Sequence, residues 1–292
     1  MVKEQIIVLT KTYPELSSKY GPIVCTVGVN EYGEWRRLYP IPYEIWINDK
    51  YKSIRFRKWD IIEVDVSNKP PSHDRRFESR RVLNFEKIKI IDHIDKWSHR
   101  LNIIKELLDP DIESIINSGK SLGVIKPRIV SDFFDKPRQR LKDEAEKIVL
   151  KKIDEADSKV TLLEYINIID DEFVLAEVRK PEIKIEKLPW IGYKFYCNNP
   201  KCKGHEMMVI DWEAQELFRK YKTVEGPVKE KLYNELVFKR DLYFILGNTW
   251  RYHKSFMIIG LFYPPKDIKT YKPIIPIFKE RKSINGRINY FK

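Results

Sequence analysis

Short runs rich in β-branched residues dominate the first hundred positions. Ile6-Ile7-Val8-Leu9, Ile23-Val24-Cys25-Thr26-Val27 and Ile61-Ile62-Glu63-Val64-Asp65-Val66 are each bounded by Pro, Gly, Asn or Lys, and each predicts a strand. Residues 34–39 follow the turn signal Asn30-Glu31-Tyr32-Gly33 and are expected to pair back on the strand at 23–27. Residues 81–91 predict one more strand. Several short strands with turns between them predict a curled, barrel-like β-rich domain over residues 1–95.

The period then changes. Leu101, Ile104, Leu107 and Leu108 recur at helical spacing and stop at Asp109-Pro110, and residues 138–153 repeat that rhythm. A helical connecting region is therefore expected over residues 96–157, crossed by an extended segment at 121–127. An α/β region follows over residues 158–265, with extended segments at 173–188 and 191–196 and an apolar run at 207–210. A helix is expected to begin at Asp211, and a second to run from Pro227 to about Lys239. Residues 242–246 and 256–263 read as buried strands. Residues 266–292 form a Pro- and Lys-rich basic extension. The fold class is thus α+β.

Composition narrows the function classes. With 55 Lys and Arg against 43 Asp and Glu, the net charge of the 292 residues is +12. It divides as +5 over residues 1–100, −2 over 101–200 and +9 over 201–292, so the excess sits at the two ends. Such a balance favours phosphate-rich partners. The longest apolar run, residues 256–263, has eight residues, against the ~18 that a membrane span needs. No signal-peptide pattern opens the chain. Three cysteines make no disulfide framework, which predicts a reducing, cytoplasmic location. Scarce Gln with abundant Lys and Glu fits a thermophilic prokaryote.

The most specific chemical signal is Cys197-Asn198-Asn199-Pro200-Lys201-Cys202-Lys203-Gly204-His205. Thiolates and imidazole are preferred zinc ligands, and Pro200 and Gly204 supply turn chemistry between them. The pattern offers three ligands. His253, in a loop between two predicted strands, is expected to be the fourth, ahead of the strand residue Cys25. Asp211 reads as a helix N-cap with Glu213 in the first turn, because an extended 206–211 puts it roughly 20 Å from His205.

Basic and aromatic residues cluster in the N-terminal part. Trp35, Arg37 and Tyr39 share one face of a strand that also carries Arg36. Arg55, Arg57 and Lys58 follow, and then Arg75, Arg76, Arg80 and Arg81. Rings with guanidinium groups between them suit stacked bases and phosphates, so these residues form the expected nucleic-acid surface. No phosphate-binding glycine loop or nucleophile elbow is present.

The segments Lys11-Thr12-Tyr13-Pro14, Glu34-Trp35-Arg36-Arg37-Leu38-Tyr39-Pro40-Ile41-Pro42 and Cys202-Lys203-Gly204-His205 with Asp211-Trp212-Glu213 carry a resemblance. Together they resemble an uncharacterised family of stand-alone prokaryotic proteins, over most of this length. The resemblance implies that the two ends form one architectural unit, and it transfers no catalytic residue. The expectation from the residues is a zinc-stabilised, nucleic-acid-binding accessory subunit, for DNA or RNA, in a prokaryotic defence or genome-maintenance complex. A protein partner would carry the catalysis. The alternative is a metal-dependent nuclease using His205, Glu206 and Asp211.

Overall fold

The computed structural model describes residues 1–17, 20–72, 74, 76–136, 188–249 and 252–268. Two β-sheets with a few helices make a mixed α+β protein. The first sheet holds β1 (Val2–Lys11), β2 (Glu15–Ser17), β3 (Gly21–Asn30), β4 (Trp35–Pro42), β5 (Asp60–Val66), β6 (Ser79–Arg81) and β7 (Lys89–His93). Its order is β6-β4-β3-β1-β5-β7, with β2 paired to β3. In β5, Ile62, Val64 and Val66 are buried while Ile61, Glu63 and Asp65 stay half-exposed, the alternation of a strand with one face on a core. That core gathers Ile6, Leu38, Ile41, Ile62 and Val64 against Ile45 of α1 (Glu44–Ile47) and against Ile54 and Phe56.

The expected barrel is not closed. Among the described residues, β6 and β7 end the sheet as separate edges, and β5 reaches the segment beyond β6 through the lone bridge Val66–Val82. The strand expected over 81–91 is split for a local reason: the Asn84 side chain accepts a bond from the Glu86 N–H and turns Phe85–Lys87 into a 3-10 helix. β7 then continues as a largely exposed edge.

The helical middle also needs correction. Within residues 96–157, the described part gives α2 (Trp97–Glu106) and α3 (Ile112–Asn117), then two strands of the second sheet. The helix expected at 138–153 and the extended segment up to 187 lie outside the described residues. The second sheet comprises β8 (Leu122–Ile125), β9 (Ile129–Lys136), β10 (Trp190–Tyr196), β11 (His205–Val209), β12 (Tyr243–Asn248) and β13 (Phe256–Phe262), in the order β8-β12-β13-β11-β10-β9. Residues 126–128 join its two edge strands. Four Cα steps span at most about 15 Å, whereas six flat strands would hold their edges about 24 Å apart, so this sheet curls strongly. α4 (Trp212–Tyr221) and a helix that starts at Pro227 and widens to a π-helix over Glu230–Lys239 cover one face. No helix among the described residues is long and apolar enough to cross a membrane.

The two sheets share a core. Leu9, Val27, Val29 and Trp59 pack with Leu101 and Ile104 of α2 and with Val124, Tyr243, Ile245, Ile259 and Phe262. β13 is therefore covered on both faces, which is why residues 256–262 read as an unbroken apolar run. The closest approach is at Gly260, where a Cβ would lie 2.7 Å from both Cβ and Oγ1 of Thr10. Thr10 Oγ1 donates to the Ile259 carbonyl at 2.6 Å, so β1 and β13 meet backbone to side chain.

Candidate metal centre

β10 and β11 pair antiparallel with Phe195 opposite His205, so residues 197–204 form the loop between them. Within it, Cys202 N donates to the Asn199 carbonyl at 3.0 Å and Lys201 N to the Asn199 side chain at 2.9 Å. Gly204 N donates to Cys202 Sγ at 3.4 Å. Gly204 has φ +97°, and a Cβ there would stand 3.2 Å from the Tyr196 ring, so the return to β11 requires glycine. This folding brings the ligand atoms of Cys197, Cys202 and His205 within 4.8 Å of one another. Cys202 Sγ lies 3.2 Å from His205 Nε2. Burial pushes the Cys197 thiol up to about 11 and lowers His205, which favours the neutral imidazole with one ring nitrogen able to bind a cation.

A fourth group stands close by. Glu113, in the first turn of α3, accepts from the Cys197 thiol, its Oε2 3.7 Å from Sγ, and lies outside the 4.8 Å group. His253, the expected fourth ligand, is not in the group: it is exposed in the turn between β12 and β13, where its carbonyl accepts from Asn248 Nδ2 at 2.7 Å. Cys25 lies in β3 with its Sγ 3.8 Å from Arg37 Nη1. Glu206 follows His205 on β11 and pairs with Lys136. Asp211 sits beyond the strand as the N-cap of α4, so the structure does not bring His205, Glu206 and Asp211 onto one ion.

Most of the expected nucleic-acid residues are engaged within the protein. Arg36 is 2% exposed and meets Glu4 at 2.6 Å and Glu34 at 2.6 Å. Arg37 is buried, bonded to Ser121 at 3.3 Å and facing Glu78 at 3.5 Å. Trp35 packs against the shared core, and Tyr39, whose hydroxyl burial pushes up to about 12, meets Ser17. Arg55 binds the Ile45 carbonyl and Asp49, Arg76 clasps Asp74 and the Asn248 carbonyl, and Arg80 donates to the carbonyls of Phe77 and Ser79. Arg81 pairs in register with Tyr39. Arg57, 71% exposed, faces Asp60 at 3.7 Å. Arg75 lies outside the described residues. For β4 the cause is packing: Leu38 and Ile41 face the first sheet's own core, while Trp35 packs against the shared core and Arg37 meets Ser121.

Lys58 belongs to a charge cluster that residue spacing did not signal. Its Nζ meets Asp211 at 2.6 Å and Glu213 at 3.0 Å. Burial opposes its charge, yet the two carboxylates outweigh burial and raise its pKa. Asp211 also accepts from the N–H groups of Glu213, Ala214 and Leu261. Lys11 donates to the Phe56 carbonyl at 3.0 Å between the rings of Trp46 and Trp212, each 4.9 Å away, and burial lowers it to about 8. Trp59 adopts φ 71°, a strained value for a bulky residue, which turns the chain between Lys58 and Asp60. Asp60 accepts from His93 Nδ1 at 2.6 Å. His93 Nε2 faces both Arg100 Nη2 at 3.1 Å and Asp95 at 3.5 Å. The His93 ring thus meets Asp60 across the β5–β7 pair, while its backbone N–H donates to Asp92 at 2.8 Å.

A family model described as a domain of unknown function, DUF8757, matches residues 112–282, more than half of the chain. The chain belongs to the DUF8757 family. A second domain of unknown function, DUF8758, matches residues 2–106. The three candidate ligands lie wholly in the DUF8757 part, whereas the charge cluster joins Lys58 of the DUF8758 part to Asp211 and Glu213 of the other. No curated protein matches the chain.

Proposed function

We propose that this chain is a zinc-stabilised, nucleic-acid-binding protein without a catalytic centre of its own. It works in the prokaryotic cytoplasm as an accessory subunit beside a catalytic partner, in defence or genome maintenance. The observation that carries the reading is the convergence of two thiols and an imidazole from one short, glycine-dependent loop, a donor set that suits Zn²⁺. The net charge of +12, with +9 beyond residue 200, supports a polyanionic partner.

Arg36, Arg37 and Arg80 are held by internal carboxylates and carbonyls, so binding falls to exposed cations. Lys201 and Lys203 stand exposed on the metal loop, and Arg128 donates from beside it to the Cys197 carbonyl. A loop held rigid by an ion presents such side chains to phosphates at little entropic cost. The nuclease alternative loses its support, because Asp211 is saturated by Lys58 and three backbone N–H groups.

The test is binding of single- and double-stranded DNA and RNA by the zinc-loaded protein over a salt series. Log affinity should fall linearly with log salt, with a slope of roughly 0.7–0.9 per phosphate neutralised. Failure to bind any of them at low salt would overturn the nucleic-acid part of the reading.

A further inference from the structure

A closed structural zinc site takes four protein ligands, and the loop supplies three. We infer that Glu113 is the fourth, so that two thiolates and one imidazole from the loop are closed into a complete site by a carboxylate from α3. The inference rests on the reading that Cys197, Cys202 and His205 hold a metal ion.

Two ligands of one tetrahedral ion, at about 2.3 Å for sulfur and 2.0–2.2 Å for a carboxylate oxygen, lie roughly 3.5–3.7 Å apart. Glu113 Oε2 stands 3.7 Å from Cys197 Sγ, at that separation, but lies outside the group whose ligand atoms are all within 4.8 Å of one another, so a side-chain rotation must carry it onto an ion shared with Cys202 and His205. The helix that carries it is well anchored. Ile112 and Ile115 seat α3 in the core beneath the second sheet, on either side of Glu113. The Asp111 side chain caps the helix by accepting from Ser114 N at 2.7 Å and Ser114 Oγ at 2.6 Å. Asn199, inside the metal loop, hydrogen-bonds to Asp111, so the loop and α3 are already tied together next to the ligands. Asp111 is thereby committed to the cap, and Glu113 remains for the ion.

The Cys197 thiol donates to Glu113, and an ion between them takes the place of that proton and binds both groups. The metal then cross-links positions 84 apart in sequence, joining the start of the DUF8757 part to the β10–β11 loop. No such coupling follows from the Cys-x4-Cys-x2-His spacing, since Glu113 precedes the first cysteine by that whole interval.

The test uses the full-length chain, loaded with Zn²⁺ for affinity and with Co²⁺ for its visible spectrum. The wild type should bind one equivalent, and the Co²⁺ form should show tetrahedral d–d bands with thiolate charge transfer. Glu113→Gln should weaken Zn²⁺ affinity by at least about 10–100-fold, and it should change the d–d envelope while keeping the thiolate band. His253→Ala should leave both unchanged. Melting of the metal-free forms checks that Glu113→Gln folds, and Glu113→Asp reads partial retention of affinity if it does not. Unchanged affinity and spectrum in Glu113→Gln, beside a wild type that binds metal, would overturn the fourth-ligand inference and leave the metal reading standing. A wild type that binds no metal would overturn both.

Discussion

Replacing Lys58 by Met keeps an aliphatic stem of similar length and deletes one charge from the seam between the two family domains. Lys58 is 8% exposed and Asp211 1%, at a separation of 2.6 Å, so the substitution leaves a carboxylate stranded away from water. Breaking a buried pair from one side costs about 3–5 kcal/mol. Three backbone N–H donors remain on Asp211, from Glu213, Ala214 and Leu261, and they keep the ion partly satisfied. Glu213 is 56% exposed and relaxes into water, adding little. The expected loss therefore sits at the low end, about 3 kcal/mol. Urea unfolding followed by tryptophan fluorescence should show a lower midpoint with an unchanged slope, because the two sheets share a core and unfold together. At about 2–4 °C per kcal/mol, the thermal midpoint should drop by roughly 6–12 °C. Adding Asp211→Asn to Lys58→Met should recover part of the loss, since the stranded charge is then gone. A loss below about 1 kcal/mol, or no recovery in the double variant, would refute the assignment of this pair as the electrostatic clamp of the seam.

Three further outcomes follow from the geometry. Gly260→Ala should destabilise by about 1–3 kcal/mol in thermal melting, because its Cβ would meet Thr10 at 2.7 Å where the sheets touch. Burial holds Lys11 near 8 against an ordinary value of 10.5, so between those values the unfolded chain binds more protons and stability should climb with pH. The gain is about 3 kcal/mol for a shift of this size, and Lys11→Met should flatten the rise in a denaturation series run from pH 7.5 to 10.5. In nucleic-acid binding, Lys201→Ala with Lys203→Ala should lower the salt slope by about one to two units. Arg36→Ala should instead cost stability at unchanged slope, because it removes the buried guanidinium that Glu4 and Glu34 share.

What the chain reveals before folding is what neighbouring residues decide. The runs at 6–9, 23–27, 61–66 and 256–262 become strands because β-branching and burial agree, and Asp211 caps α4 because its side chain serves the next turn. The Cys197, Cys202 and His205 grouping is legible for the same reason, as one loop supplies all three. Long-range partners are not. Trp35, Arg37 and Tyr39 share a strand face as alternation requires, but only packing against the shared core and Ser121 makes it an inward face. The strand expected across 81–91 failed on one side-chain bond from Asn84, a competition that β-propensity does not register. Asp60–His93 and Lys58–Asp211 are separated by 33 and 153 positions, and Glu113 lies 84 before Cys197, so no spacing pattern announces them.

The central claim is that Cys197, Cys202 and His205 hold one zinc ion on which the fold depends. Metal analysis of freshly purified protein by inductively coupled plasma mass spectrometry, beside Cys202→Ser, tests it most directly. The account predicts near-stoichiometric zinc in the wild type, its loss in Cys202→Ser, and a lower melting temperature in that variant, because metal binding is coupled to folding. Wild-type protein with about a tenth of an equivalent or less, and a melting temperature indifferent to chelator, would contradict it.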